Sequence, residues 1–331
     1  MKAAVIGGGS WGSAMALHLG RRGIPVNLWI REPEVLAEAR RKRVNRVFLP
    51  GFVFPPSVVF CDDIQEAARG AAVTFIAVPS HYCRPVYRRL APVVTRRGII
   101  VSLTKGFEEK TLKRMSQVMS ETFSGPRHPR LAVLSGPSFA REVAAGLPTA
   151  VVVASRYPAA AARVQNLLSG LSFRVYTSRD VAGVELGGAA KNVIAIAAGI
   201  AEALDAGNNA KASLITRGLA EITRLGIRLG ARRETFFGLA GIGDLIVTCT
   251  GELSRNRHLG YALGRGRSLA AIVAETNQVA EGVGTTLSIH RLAVKHGIEM
   301  PICEQIYRVL YRDKKPKQAI IDLMSRTLKK E

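Results

Sequence analysis

Cysteine is scarce in this chain. Four are present among 331 residues, Cys61, Cys83, Cys249 and Cys303, far apart and without a C-x-x-C pair. That spacing excludes a disulfide framework and a zinc ribbon, and it points to a reducing cytosol. Aromatic residues make up only 6%, and no Lys/Arg stripe is interleaved with rings for base stacking, as a single-strand nucleic-acid binder requires. No apolar stretch reaches about 18 residues, so no membrane span or stable membrane insertion is expected. The first residues run straight into a strand-like segment, without the basic lead, apolar core and cleavage site of a signal peptide. Acidic residues are few, 25 against 47 Lys and Arg, for a formal net charge of +22. Such an excess suits nucleic acid, an anionic surface or polyanionic small ligands, and it equally suits an arginine-rich solvated surface. No Ser-His-Asp or Cys-His set is evident, and the Asp, Glu and His spacing offers no metal site.

What is present begins in the first dozen residues. Lys2–Ile6 is a short apolar run, and Gly7, Gly9 and Gly12 follow as G-x-G-x-x-G before the helical stretch 13–19. Strand, tight turn and helix in that order are the context a dinucleotide-binding fingerprint needs. Gly7 would make the turn, Gly9 would let the backbone approach a pyrophosphate, and Gly12 would let helix and strand pack closely. The helix start then meets phosphate with favourable dipole sign. The second strand, residues 26–30, leads to Arg31 and Glu32. An acid here would bond a ribose 2′-OH, whereas an arginine can clamp a 2′-phosphate. Arg31, with the basic run Arg40-Arg41-Lys42-Arg43 behind it, favours NADPH over NADH, and NADH stays possible.

Residues 45–51 read as a loop closed by Pro50 and Gly51. Strands are predicted at 58–60, 73–78, 99–101, 131–134, 150–154 and 173–176, with helices at 64–68 and 82–94. The run 73–78 suits a strand buried on both faces and ends at Pro79-Ser80-His81, where His81 is either a cofactor contact or polar punctuation. Alternating strands and helices predict an α/β fold with a Rossmann-type, doubly wound parallel sheet. After about Asp180 strand-like runs cease and helical periodicity takes over. The expected division is residues 1–180, a dinucleotide-binding domain, and 181–331, an all-helical substrate-binding and catalytic domain.

Lys191 lies in a long apolar helix predicted over 187–204. Small and aliphatic neighbours would desolvate its ammonium and suit it to general acid–base work, unless it snorkels to solvent. Asp244, after the glycine-rich turn 238–243, either caps the next helix or orients Lys191. Ser254, Arg255 and Asn256 open a helix, either as an anion site or as an ordinary capped start. A dinucleotide fold, a buried lysine and an anion pocket together imply hydride transfer coupled to lysine proton transfer.

At this point the motifs are recognisable. GGGSWG at 7–12, LTKGFE at 103–108, SGPSFA at 135–140, GAAKNV at 188–193, GLAGIGDL at 238–245 and LSRNRHLG at 253–260 stand in order, followed by NQVAEGV at 277–283 and EMPICEQIYRVLY at 299–311. The chain closely resembles the bacterial NAD(P)-dependent glycerol-3-phosphate dehydrogenases, nearly end to end. The resemblance implies cytoplasmic reduction of dihydroxyacetone phosphate to sn-glycerol 3-phosphate for phospholipid synthesis, by a homodimer that needs no nucleic acid. It implies Lys191 as proton donor and acceptor, and Lys105, Gly136, Ser138, Asp244, Ser254, Arg255 and Asn256 as further substrate residues. It implies Ser10, Trp11, Arg31, Lys105, Ala140, Arg255, Val279 and Glu281 at the cofactor, beside Gly7, Gly9 and Gly12. Phe48 departs from the tyrosine many relatives carry, so a hydroxyl contact is lost there. A related dehydrogenase for a hydroxy acid or ketopantoate has no need of the 254–256 anion site, and a basic nucleic-acid binder has only the net charge in its favour.

Overall fold

The computed structural model describes residues 1–125, 128–275 and 281–328. The chain forms two compact units. The first comprises residues 1–108 with 113–185; the second comprises 109–112 with the chain from Leu186 onward. The chain thus passes from one unit to the other at Glu185–Leu186, inside a helix, a few residues beyond Asp180.

The first unit holds one eight-stranded sheet of β1 (Ala3–Ile6), β2 (Val26–Trp29), β3 (Val58–Cys61), β4 (Val73–Ile76), β5 (Ile99–Ser102), β6 (Arg130–Ser135), β7 (Thr149–Ala154) and β8 (Phe173–Ser178). Their spatial order is β8-β7-β6-β5-β4-β1-β2-β3. Strands β1 to β6 run parallel to one another, with Ala3 of β1 opposite Val26 on one side and Val73 on the other. Strand β7 is antiparallel to β6, and β8 is parallel to β7, so the doubly wound parallel run ends after six strands. Each of β1, β2, β4 and β5 is buried along its whole length, which is why these segments are predominantly apolar, with Asn27, Thr74 and Ser102 as the buried polar residues among them. Strand order reverses about β1, and the carboxyl edge there is the ligand-binding crevice of such sheets.

Among the described residues seven α-helices lie wholly within this unit: α1 (Ser10–Arg21), α2 (Pro33–Lys42), α3 (Ile64–Ala68), α4 (Cys83–Leu90), α5 (Met115–Thr122), α6 (Ala140–Ala145) and α7 (Pro158–Leu168). Two local expectations are corrected. The loop at 45–51 contains a small hairpin, Val44–Asn45 with Leu49–Val53. The helix expected over 82–94 is shorter, because a 3₁₀ turn at Ser80–Tyr82 precedes α4 and Pro92 cannot supply the N–H that would extend it.

Among the described residues the second unit is entirely helical. It contains α8 (Val181–Ala203, from Leu186), α9 (Gly207–Arg228), a 3₁₀ turn (Arg233–Phe237), a π turn (Leu239–Gly243), α10 (Asp244–Thr250), α11 (Arg255–Gly264), α12 (Leu269–Ala274), α13 (Gly282–His296), α14 (Pro301–Tyr311) and α15 (Pro316–Met324). Helix α8 starts earlier than predicted. It is also long and apolar enough by composition to cross a membrane, contrary to the expectation that no stretch would be. Its most apolar stretch is 94% buried, as a core helix would be.

Candidate active site

In the first unit the glycine loop leaves β1 with a different demand at each position. Gly7 has φ +120°, and a Cβ there would lie 2.5 Å from the Ala77 carbonyl oxygen. A Cβ on Gly12 would lie 1.9 Å from the Gly7 oxygen. Gly9 is different. Its φ of −68° is open to any residue, and nothing lies within 4 Å of a Cβ placed on it. Neither the turn nor the packing asks for glycine at Gly9, but a phosphate approaching the backbone would. Helix α1 starts directly after Gly9 without a side-chain cap, which leaves its positive dipole end to an anion. Ser10 and half-buried Trp11 form its first turn. Buried Asn45 fixes the loop, donating to Gly8 O at 2.7 Å and Ser13 Oγ at 2.9 Å. Sequence reasoning missed Asn45, because its partners lie some 30 residues upstream.

Arg31 stands just beyond the end of β2. Its Nη2 is 2.8 Å from Glu32 Oε1, and its guanidinium lies 5.0 Å over the Tyr82 ring. The two residues weighed for opposite cofactor preferences are therefore paired with each other. Arg43 is turned inward to the carbonyls of Phe54 and Val58, and Arg40, though exposed, is engaged by Phe60 O and Asp62, so Arg40, Arg41 and Lys42 of the basic run are exposed. His81 is exposed and packs on Tyr82 at 4.0 Å between ring centroids. Lys105, Gly136 and Ser138 come together beyond β5 and β6: Lys105 Nζ donates to Gly136 O at 3.2 Å and Ser138 Oγ to the same oxygen at 2.9 Å. Gly136 has φ +139°, and a Cβ there would lie 2.9 Å from Val151 Cα. Ala140 opens α6. Phe48 packs on the sheet core.

In the second unit Lys191 is only 6% exposed, so it does not snorkel. Its Nζ donates to the fully buried Asp244 carboxylate and, at 2.8 Å, to Thr248 Oγ1. The Thr248 hydroxyl in turn donates to Asp244 O at 2.6 Å. The N-cap of α10 is Gly243, and Asp244 follows it as the first residue of the helix, with its carboxylate on the lysine. The small residues before Lys191 explain the approach, since a Cβ on Gly187 would lie 2.3 Å from Ala240 O in the π turn. Thr248 was not anticipated, although the Asp–Thr spacing of one helical turn was readable. Burial pushes the neighbouring Cys249 thiol up to about 12, so it stays protonated and inert.

Ser254 caps α11, accepting from Arg257 N–H at 3.3 Å. Buried Asn256 uses Oδ1 to accept Gly282 N–H at 3.0 Å, which leaves its amide NH₂ as the end suited to an anion. Much of the Arg255 side chain is exposed, yet surrounding protein desolvates its guanidinium and lowers its pKa, with Glu281 pulling the other way. Glu281 precedes α13 as its N-cap residue. Val279 lies outside the described residues.

A Rossmann-type sheet with this glycine loop, and a helical unit built on a buried lysine–carboxylate pair, define an oxidoreductase. The family model described as NAD-dependent glycerol-3-phosphate dehydrogenase N-terminus matches residues 2–161, and that of the C-terminus matches residues 180–321. The chain belongs to the NAD-dependent glycerol-3-phosphate dehydrogenase family. It is 51% identical over 327 residues to a glycerol-3-phosphate dehydrogenase (NAD(P)+) of Geobacter sulfurreducens, covering 99% of this chain and 98% of that one. The crystal structure of a glycerol-3-phosphate dehydrogenase from Coxiella burnetii superposes with a TM-score of 0.94 at 41% identity, covering 98% and 99% of the two chains. A yeast glycerol-3-phosphate dehydrogenase structure gives 0.84 at 27% identity, covering 98% and 99%.

Proposed function

We propose that this chain reduces dihydroxyacetone phosphate to sn-glycerol 3-phosphate in the cytoplasm, reversibly, for phospholipid synthesis. NADPH is the preferred cofactor, NADH is possible, and the working form is a homodimer. The observation that carries this reading is the buried Lys191 ammonium held by Asp244 and Thr248. When bound, the reduced nicotinamide supplies the hydride that goes to C2 of the substrate. Negative charge then grows on the C2 oxygen, and Lys191 donates a proton to it. Asp244 offsets the cost of burying the ammonium, and with Thr248 it fixes the direction of the N–H bonds. The phosphate tail rests at the α11 start, on backbone N–H groups, Arg255 and the Asn256 amide, with Ser254 as cap. Anchoring the tail orients the ketone and lowers the entropic part of the barrier.

In the first unit Gly7, Gly9, Ser10, Trp11, Gly12, Arg31 and Ala140 are assigned to the cofactor, and Gly136 and Ser138 to the substrate. Lys105 serves both. In the second unit Arg255, Val279 and Glu281 are assigned to the cofactor as well. Residues 1–180 and 181–331 are taken as the two functional domains. The test is absorbance of reduced nicotinamide on adding dihydroxyacetone phosphate to the purified chain with NADPH, then with NADH. Oxidation is expected with NADPH and more weakly with NADH, and none with unphosphorylated dihydroxyacetone. Equal turnover of the unphosphorylated ketone, or none of the phosphate, overturns the reading.

A further inference from the structure

The run Ser254-Arg255-Asn256-Arg257 holds a second arginine that would double the positive charge offered to a phosphate. Arg257 is engaged elsewhere. Its Nε donates to Glu202 Oε2 at 2.8 Å, and its Nη2 donates to Glu202 Oε1, a two-pronged pair. Lys211, in the early part of α9, reaches Glu202 Oε2 at 3.3 Å. Side-chain exposures are 14% for Arg257, 26% for Glu202 and 24% for Lys211. The Arg257 hydrogen bonds above all, then Lys211, hold the Glu202 carboxyl below its usual range, so the cluster stays charged at neutral pH.

Around this cluster the backbones of α8 and α11 touch. A Cβ on Gly199 would lie 2.0 Å from Arg257 O, one on Gly260 would lie 2.0 Å from Ile196 O, and one on Gly264 would lie 3.1 Å from Ile200 O. Glycine contacts set the distance between two helices but leave them free to slide and roll. A planar guanidinium forked onto a carboxylate restricts both. Glu202 also lies about three turns beyond Lys191 on α8, a spacing that returns to nearly the same helix face.

We infer that Glu202 is a positioning residue. Through Arg257 it sets the first turn of α11, and with it Arg255 and Asn256, at a fixed place relative to the helix that carries Lys191. Arg257 is then a tether, and the phosphate of the substrate is met by Arg255 and Asn256 without it. This inference rests on the functional reading above.

The test uses the full chain with Glu202→Gln, which keeps the volume but loses the charge, and Arg257→Lys, which keeps the charge but loses the fork. Each is expected to raise KM for dihydroxyacetone phosphate at least about tenfold, within the roughly 10²-fold that a misplacement of about 1 Å can cost, while kcat stays within about threefold because Lys191, Asp244 and Thr248 are untouched. The double variant should be little worse than either single, since the pair acts as one unit. Thermal midpoints measured alongside separate loss of fold from loss of position. A lowered midpoint with unchanged KM overturns the inference, as does a fall in kcat at constant KM. If Glu202→Gln fails to fold, the KM of Arg257→Lys decides by itself. A wild-type chain that leaves dihydroxyacetone phosphate untouched overturns the functional reading and this inference together, whereas an active wild type with unshifted variants overturns this inference alone.

Discussion

Lys191 and Asp244 are both buried, and each makes the other's burial tolerable. Removing one partner of such a pair strands the other and costs on the order of 3–5 kcal/mol. Lys191→Ala is therefore expected to lower stability as well as kcat, the latter by about 10²–10⁴-fold for loss of proton transfer. NADPH binding, followed by fluorescence titration, should persist in the variant; near-normal turnover would remove Lys191 from its role. Arg31 permits a second prediction. Its side chain is 57% exposed and is held by Glu32 and Tyr82, so Arg31→Ala should leave the fold unchanged. It should raise KM for NADPH well beyond its effect on KM for NADH. Equal losses for the two cofactors would contradict a 2′-phosphate contact.

The turn from β1 to α1 is an element whose three glycines can be told apart by substitution. At Gly12 an added methyl meets the Gly7 oxygen at 1.9 Å, whereas at Gly9 it meets nothing within 4 Å. Gly12→Ala is therefore expected to destabilise the unit, read as a lowered denaturation midpoint. Gly9→Ala should leave the midpoint in place and weaken cofactor binding; if affinity is unchanged, the space above Gly9 is not a phosphate seat. The start of α14 supports a prediction about pH. Buried Glu221, from α9, accepts the Ile302 and Cys303 N–H groups at 2.8 and 3.2 Å. These bonds favour its ionised form, but burial outweighs them and pushes the carboxyl up from 4.5 to about 7. Between those values the folded chain holds a proton that the unfolded chain has released. The contribution is thus fully present below 4.5 and is lost as pH rises through about 7. Urea midpoints of the wild type should show this decline over that window, and Glu221→Gln should flatten it.

For the molecule as a whole the unexplained quantity is the charge of +22. A field of that sign raises the local concentration of a phosphorylated substrate. Raising ionic strength from about 0.01 M to about 0.15 M shortens screening from about 30 Å to about 8 Å. KM for dihydroxyacetone phosphate is expected to rise across that range while kcat holds. An unchanged KM would mean that the charge only solvates the surface. Duplex DNA should be retained weakly and lost on the same salt gradient.

The order of strands and helices, the glycine turn and the special lysine were all legible in the chain itself, because each depends on neighbours a few residues away. Backbone periodicity, turn chemistry and the apolar setting of Lys191 are local properties. What that setting meant was not local: one stretch allowed a snorkelling lysine as readily as a buried one. Packing of Gly187 against the π turn decided it, by bringing Asp244 and Thr248 onto the ammonium. Asn45 on the glycine loop, Glu221 at α14 and Glu202 on Arg257 were likewise invisible, since each meets partners 30 or more residues away in sequence, and the reversal of β7 against β6 was not written in its own residues either. Pairing across such distances is set by how whole elements pack, and nothing in the local pattern of a helix or loop records which distant side chain it will meet.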